Sequence, residues 1–250
     1  MDLQLNDKTA LVTGASAGIG RAIVRGLAAE GARTAVVARR TDLLESLAAE
    51  MEAAGSSRPA IITADVMDDE AVAAIAREAR QGLGQVDILV NCAGGSRPMP
   101  VDAPEERWEE AMTLNFTRVR QLTHALLPAM IDRGWGRIVN ITGKSEPEGL
   151  NAAFSAKAAV HAWAKGLSRE VGRHGITINC IPPGRIMSEQ IERNYPPDYR
   201  AEHAAKEIPM GRYGEPEELA CLAVFLCSPI AQYITGAVLP VDGGLRRYSF

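Results

Sequence analysis

The residues that speak most directly of chemistry are Thr13-Gly14-Ala15-Ser16-Ala17-Gly18-Ile19-Gly20. They follow the apolar run Thr9-Ala10-Leu11-Val12 and lead into the helical stretch 21–30, so the glycines stand where a buried strand turns into a helix. Without a Cβ, Gly14 and Gly18 permit a tight turn and close approach of a ligand to the backbone. Gly20 lets the helix pack close to the strand, and the helix N-terminus offers free N–H groups and a positive dipole. The chemistry is anion binding, with phosphate the natural ligand. The spacing G-x-x-x-G-x-G differs from the commoner G-x-G-x-x-G fingerprint. A second group, Lys144, Ser145, Glu146 and Glu148, lies a short way before Lys157. Amines, a hydroxyl and carboxylates so grouped can move protons or clamp a developing charge; the plainer reading is a solvated charged loop.

Elements able to position these groups follow from the pattern of the chain. Strands are expected over 9–13, 34–38, 60–64, 88–91, 137–141, 177–181 and 237–241, all seven buried on both faces. Helices are expected over 18–30, 42–54, 68–82, 104–133, 151–174 and 216–228, with Gly31 a stop for the first. Strands alternating with helices imply an α/β fold: a doubly wound, Rossmann-type parallel sheet of about seven strands with helices on both faces. No linker or low-complexity stretch divides the chain, so one dinucleotide-binding and catalytic domain over 1–250 is expected. The stretch 185–213 breaks the rhythm and carries Pro196-Pro197, which reads as a mobile cover over the substrate.

The end of the second strand bears on the cofactor. An acidic side chain about twenty residues beyond the glycines would accept from a ribose 2′-OH, whereas a basic one accommodates a 2′-phosphate. Arg39-Arg40 stands there. Two guanidiniums in place of a carboxylate favour NADP(H) over NAD(H), against the plainer reading of two solvated surface arginines.

Thr13-Gly14-Ala15-Ser16-Ala17-Gly18-Ile19-Gly20, Asp65-Val66, Asn91-Cys92-Ala93-Gly94, Asn115, Lys157 and Pro183-Gly184 come in the order and spacing of the short-chain dehydrogenase/reductase family, which the chain resembles over almost its whole length. The closing stretches 211–218, 233–236 and 241–244 resemble the 3-oxoacyl-carrier-protein reductase group. The resemblance implies that Gly14, Ser16, Gly18, Ile19, Gly20, Arg39, Arg40, Asp65, Val66, Asn91, Ala93, Lys157, Pro183, Gly184, Ile186 and Ser188 meet a nicotinamide dinucleotide. Asp65 would lie at the adenine amine, Asn91 to Ala93 beside the ribose, and Pro183, Gly184, Ile186 and Ser188 around the nicotinamide. Asn115 and Lys157 take the family's catalytic places, and a homotetramer is implied. Helices 104–133 and 151–174 carry apolar residues beyond the needs of one sheet face, and Phe250 could dock on a neighbour.

The chain also departs from the family. The usual Tyr-x-x-x-Lys puts a phenol and an ammonium on one helix face. Here Ala153 stands four before Lys157, Phe154 beside it has no hydroxyl, and the family's Ser falls on Gly143. The hydride half of a carbonyl reduction survives, but the proton donor does not. Lys144 and Ser145 are the candidate substitutes, with Tyr195 or Tyr199 from the cover a remoter one. Three functions follow: an NADP(H)-dependent oxidoreductase on a carbonyl or alcohol with a non-standard site; a non-redox dehydratase or isomerase using Lys144 or Glu146 as base; and a silent NADP(H)-binding partner.

Composition excludes other classes. Of 250 residues 46% are hydrophobic, but no apolar run has membrane length, and a net charge of −4 with both signs interspersed leaves no basic stripe for nucleic acid or a membrane. Cys92, Cys180, Cys221 and Cys227 lack metal or disulfide spacing, and no export signal precedes them, so reduced thiols and a cytoplasmic protein are expected. His124, His161, His174 and His203 show no metal spacing, and His161 and Trp163 read as helix-packing residues.

Overall fold

In the computed structural model, which describes residues 1–143, 146 and 149–248, six apolar runs form one parallel sheet. The strands are β1 (Thr9–Thr13), β2 (Arg33–Ala38), β3 (Ala60–Thr63), β4 (Ile88–Asn91), β5 (Gly136–Ile141) and β6 (Ile176–Ile181), in the order β3-β2-β1-β4-β5-β6. The helices are α1 (Gly18–Ala29), α2 (Thr41–Ala53), α3 (Ala71–Leu83), α4 (Glu105–Met112), α5 (Arg118–Arg133), α6 (Ala152–Val171), α7 (Glu189–Asn194), α8 (Pro197–Glu207) and α9 (Pro216–Cys227). Because successive strand residues face opposite ways, two cores result. Ala10, Val12, Val36 and Val90 pack with Ile23 of α1, Leu44 of α2 and Leu219 of α9. Leu11, Val37, Leu89 and Ile138 pack on the other face with Ile75 of α3, Leu122 of α5 and Val160 of α6. The fold is the Rossmann-type, doubly wound arrangement, and its winding reverses between β1 and β4, where such sheets bind ligands.

Three expectations need correction. The seventh strand, 237–241, runs beside β6 but pairs only through single bridges, Cys180 with Val238 and Pro183 with Val241. Pro182, Pro183 and Pro240 have no N–H, which interrupts a continuous ladder. β3 is not buried on both faces, since it forms the sheet edge and only Ile62 is buried. The expected single helix 104–133 is α4 and α5 joined by a π-helical turn, Thr113–Thr117. The stretch 185–213 contains α7 and α8. Ser188 caps α7 by accepting from the Ile191 N–H, Pro197 opens α8 where a missing N–H costs nothing, and Ala204, Ile208 and Tyr213 form a small core of their own.

Candidate cofactor and active site

At the winding reversal, the glycine turn leans on the end of β4. Gly14 and Gly18 have φ of +68° and +54°, a region that favours glycine. A Cβ on Gly14 would lie 2.8 Å from the Ala93 nitrogen, and one on Gly20 would lie 2.2 Å from the Gly14 oxygen. Thr13 Oγ1 accepts from the N–H groups of Cys92 and Ala93, both at 3.1 Å, and so ties the two strand ends together. No side chain caps the first turn of α1 at Ala17. Its amides and dipole therefore face the crevice, as a pyrophosphate requires. Ile19 packs its side chain against the core, which leaves its backbone for any ligand.

The two arginines are not equivalent. Arg40 Nη2 donates to Ser16 Oγ at 3.3 Å, and its Nη1 pairs with Glu189 of α7 at 2.8 Å. It thus bridges the glycine turn and the covering helix. Arg39 is 76% exposed in its side chain and reaches Asp65 at 3.4 Å. Ser16 and Arg40 thus stand together beside the turn. Asp65 also accepts from the Met67 N–H, and Val66 is half-buried against the core. Asn91 points away from the crevice: its buried Nδ2 donates to Asn140 Oδ1 at 2.8 Å and Thr123 Oγ1 at 3.2 Å, so it joins β4 to β5 and α5. Across the crevice, Gly184 has no space for a Cβ, which would fall 2.5 Å from Asp242 Cα. Pro183 bridges to Val241, Ile186 is buried against Gly214, and Ser188 Cβ stands 3.9 Å from where a Gly18 Cβ would be. These residues fit an NADP(H)-like ligand.

Beyond the crevice, two polar tips converge over Gly94. A Cβ there would be 3.0 Å from Asn115 Oδ1 and 3.3 Å from Lys157 Nζ. Asn115 sits in the π-helical turn, where the extra residue re-aims the chain; its Oδ1 accepts from Gly95 N–H and its Nδ2 donates to Ala111 O. Lys157 Nζ donates to Thr142 O at 3.0 Å and Ile141 O at 3.5 Å, and burial pushes its pKa down. Ala153 is buried, with its N–H capped by Asn151 Oδ1, and a Cβ on Gly143 would meet Lys157 Cδ at 3.0 Å and the Phe154 ring at 3.8 Å.

Other groups take roles that sequence reasoning did not assign. His161 Nε2 and Thr142 Oγ1 lie 2.7 Å apart, one helical turn beyond Lys157, and burial followed by the Lys157 charge lowers the His161 pKa. The signal was the spacing of four from Lys157. Burial pushes the Cys92 thiol up to about 11, against the pull of the Lys157 charge. Glu146 accepts from the Arg247 and Tyr248 N–H groups, both at 3.0 Å, and these hold its carboxyl below the usual range. It is a tether for the C-terminal stretch and ill suited to act as a base. Tyr195 and Tyr199 stack on each other at 5.3 Å, and Tyr199 on His203 at 5.8 Å. Lys144, Ser145 and Glu148, and Phe250 at the C-terminus, lie outside the described residues.

The profile of a family described as enoyl-(acyl carrier protein) reductase matches residues 14–246. The chain belongs to the short-chain dehydrogenase/reductase family. It is 37% identical over 247 residues to a galactitol 2-dehydrogenase (L-tagatose-forming) of Cereibacter sphaeroides, covering 96% of each chain. It is 36% identical to a 3-oxoacyl-acyl-carrier-protein reductase of Pseudomonas aeruginosa over 97% of this chain and 99% of that one. Among solved structures, the L-sorbose reductase of Gluconobacter frateurii, complexed with NADPH and L-sorbose, superposes with a TM-score of 0.93 at 33% identity. That match covers 99% of this chain and all of that one.

Proposed function

We propose that the protein is an NADP(H)-dependent oxidoreductase that interconverts an alcohol and a carbonyl, with a proton route that uses no tyrosine. The observation that carries this reading is the convergence of Asn115 and Lys157 over Gly94, beside a glycine turn flanked by the Ser16–Arg40 pair. Gly14, Ser16, Gly18, Ile19, Gly20 and the α1 amides would hold the pyrophosphate, and Arg40 with Ser16 the 2′-phosphate, with Arg39 at its rim. Asp65 and Val66 would border the adenine, the backbone of Asn91 to Ala93 and Lys157 the ribose, and Pro183, Gly184, Ile186 and Ser188 the nicotinamide. The relatives' named activities, on galactitol, 3-oxoacyl groups and L-sorbose, support a hydroxyl or keto substrate.

Bound cofactor supplies or accepts a hydride at the carbonyl carbon. The chain must then handle one proton at the oxygen. Ala153 and Gly143 offer none, and general acid help is commonly worth ~10²–10⁴-fold, so we assign it to Lys144 and Ser145. Lys157, fixed by two carbonyls, contributes positive charge beside the reacting oxygen and is itself held by β5. A dehydratase or isomerase using Glu146 is the weaker reading, because two backbone amides hold that carboxylate. We further propose one domain over 1–250, a cytoplasmic homotetramer and assembly through α5 and α6. Phe116 of the π-helical turn and His124 of α5 lie against Trp163 of α6, with ring centroids 6.4 and 6.0 Å apart. Light scattering at micromolar concentration tests the assembly, a monomer mass refusing it. The function is tested by a carbonyl and alcohol panel with NADPH and NADP⁺: Lys144→Ala or Ser145→Ala should cut turnover far more than cofactor affinity.

A further inference from the structure

Thr142, the residue that follows β5, is held at three points. Its N–H donates to Ile181 O at the end of β6 at 3.0 Å, its carbonyl accepts from Lys157 Nζ at 3.0 Å, and its Oγ1 lies 2.7 Å from His161 Nε2. Lys157 and His161 are four apart on α6, so two side chains from one helix face reach the same residue. Thr142 is 3% exposed, and a hydroxyl so buried is costly unless it is bonded. Beyond the anchoring carbonyl stands Gly143, where a Cβ would fall 3.0 Å from Lys157 Cδ, so that position has no side chain to steady the peptide. Burial, followed by the Lys157 charge, lowers the His161 pKa; the ring is neutral at neutral pH and sets no second cation one helical turn from the ammonium.

We propose that His161 is a positioning residue for Lys157: by fixing the Thr142 side chain it holds the Thr142 carbonyl where the ammonium docks, and so keeps Nζ over Gly94 beside Asn115. Nζ and Asn115 Oδ1 stand 3.3 and 3.0 Å from where a Gly94 Cβ would be. The imidazole acts through Thr142 and does not itself meet the substrate. Nε2 of a neutral imidazole donates or accepts according to the tautomer, and a threonine hydroxyl does either, so the bond forms in both. What the ammonium then does for a reacting oxygen rests on the oxidoreductase reading above; the anchoring does not.

The deciding test needs neither nucleotide nor substrate: the acetylation rate of the half-buried Lys157 by acetic anhydride in the full chain, read by mass spectrometry against the exposed Lys206. Thr142→Val and His161→Leu each remove the bond and should speed the labelling of Lys157 relative to Lys206 about fivefold, the order of one hydrogen bond. Thr142→Ser keeps a hydroxyl and His161→Gln an amide that can donate or accept, so both should stay within about twofold of the wild type. The double variant Thr142→Val/His161→Leu should label no faster than either single one, because both break the same contact. With NADPH and a carbonyl that the wild type reduces, His161→Leu should lower kcat about tenfold while the KM of the carbonyl changes less than about twofold, and His161→Gln should restore kcat. Unchanged relative labelling in folded Thr142→Val and His161→Leu would overturn the proposal, even with a lowered melting temperature, since a merely structural bond would give that alone. Additive labelling in the double variant, or a kcat that His161→Leu leaves unchanged, would overturn it too. A wild type that turns over nothing while labelling follows the expected pattern would refute the oxidoreductase reading and leave the anchoring role supported.

Discussion

Arg40→Ala isolates the claim that a 2′-phosphate is read beside the glycine turn. In the proposed site Arg40 would be the arginine that reads it: its Nη2 lies 3.3 Å from Ser16 Oγ, whereas Arg39 is mostly exposed and turned to Asp65. A charge-assisted phosphate contact contributes roughly 1.5–3 kcal/mol. Against this stands the existing pair with Glu189 at 2.8 Å, whose side chains are 47% and 58% exposed, so that breaking it costs only about 0–1 kcal/mol. The net loss for NADPH is then about 0.5–3 kcal/mol, or about 2- to 160-fold in affinity. NADH lacks the phosphate and should change by less than about twofold. Arg39→Ala should cost NADPH less than about fivefold, given its exposure. Isothermal titration of both nucleotides against the three proteins measures all of this. Equal losses for NADPH and NADH in Arg40→Ala, or a larger loss in Arg39→Ala, would refute the reasoning.

Gly20→Ala should lower the melting temperature, because its Cβ would fall 2.2 Å from the Gly14 oxygen and overpacking of this kind costs ~1–3 kcal/mol; an unchanged melt would contradict the close packing of turn and helix. Ala153→Tyr places a phenol one turn before Lys157 at a 2%-exposed position, so activity towards simple ketones should rise while the melting temperature falls. If neither moves, the assignment of that position is wrong. His161 has its pKa lowered below 6.5 by burial, so the unfolded chain takes up a proton there that the native state refuses. Stability should therefore fall as pH drops below 6.5 towards the lowered native value, and His161→Gln should flatten that part of a denaturant-midpoint profile. The same slope in both proteins would count against it.

The parts of the fold that could be read from sequence are those fixed by local pattern. β1 and β4 are continuous apolar runs ended by a glycine turn and by Asn91, so their bounds are legible residue by residue. The π-helical turn is not, because the apolar residues of Thr113–Thr117 continue a helical pattern and only packing around Asn115 reveals the extra residue. Adjacent arginines after a strand look alike in sequence, although they end on different partners, Ser16 and Glu189 for Arg40 and Asp65 for Arg39. The same holds for Asn91, whose type suits a ribose but whose side chain faces Asn140. Glu146 is held by amides 101 and 102 residues away, a distance no local motif spans. Ala153 and Gly143, the positions to which sequence spacing assigns the family's phenol and serine, stand near Lys157 in the structure.

Nicotinamide absorbance during turnover bears most directly on the central claim. With NADPH and a panel of ketones and keto sugars, or NADP⁺ and the matching alcohols, the wild-type chain should change that absorbance in step with substrate consumed. Lys157→Ala should lose both turnover and part of its cofactor affinity, since Lys157 is held between β5 and the tip of Asn115. A wild type that binds NADPH yet leaves the absorbance unchanged across the whole panel would contradict the account.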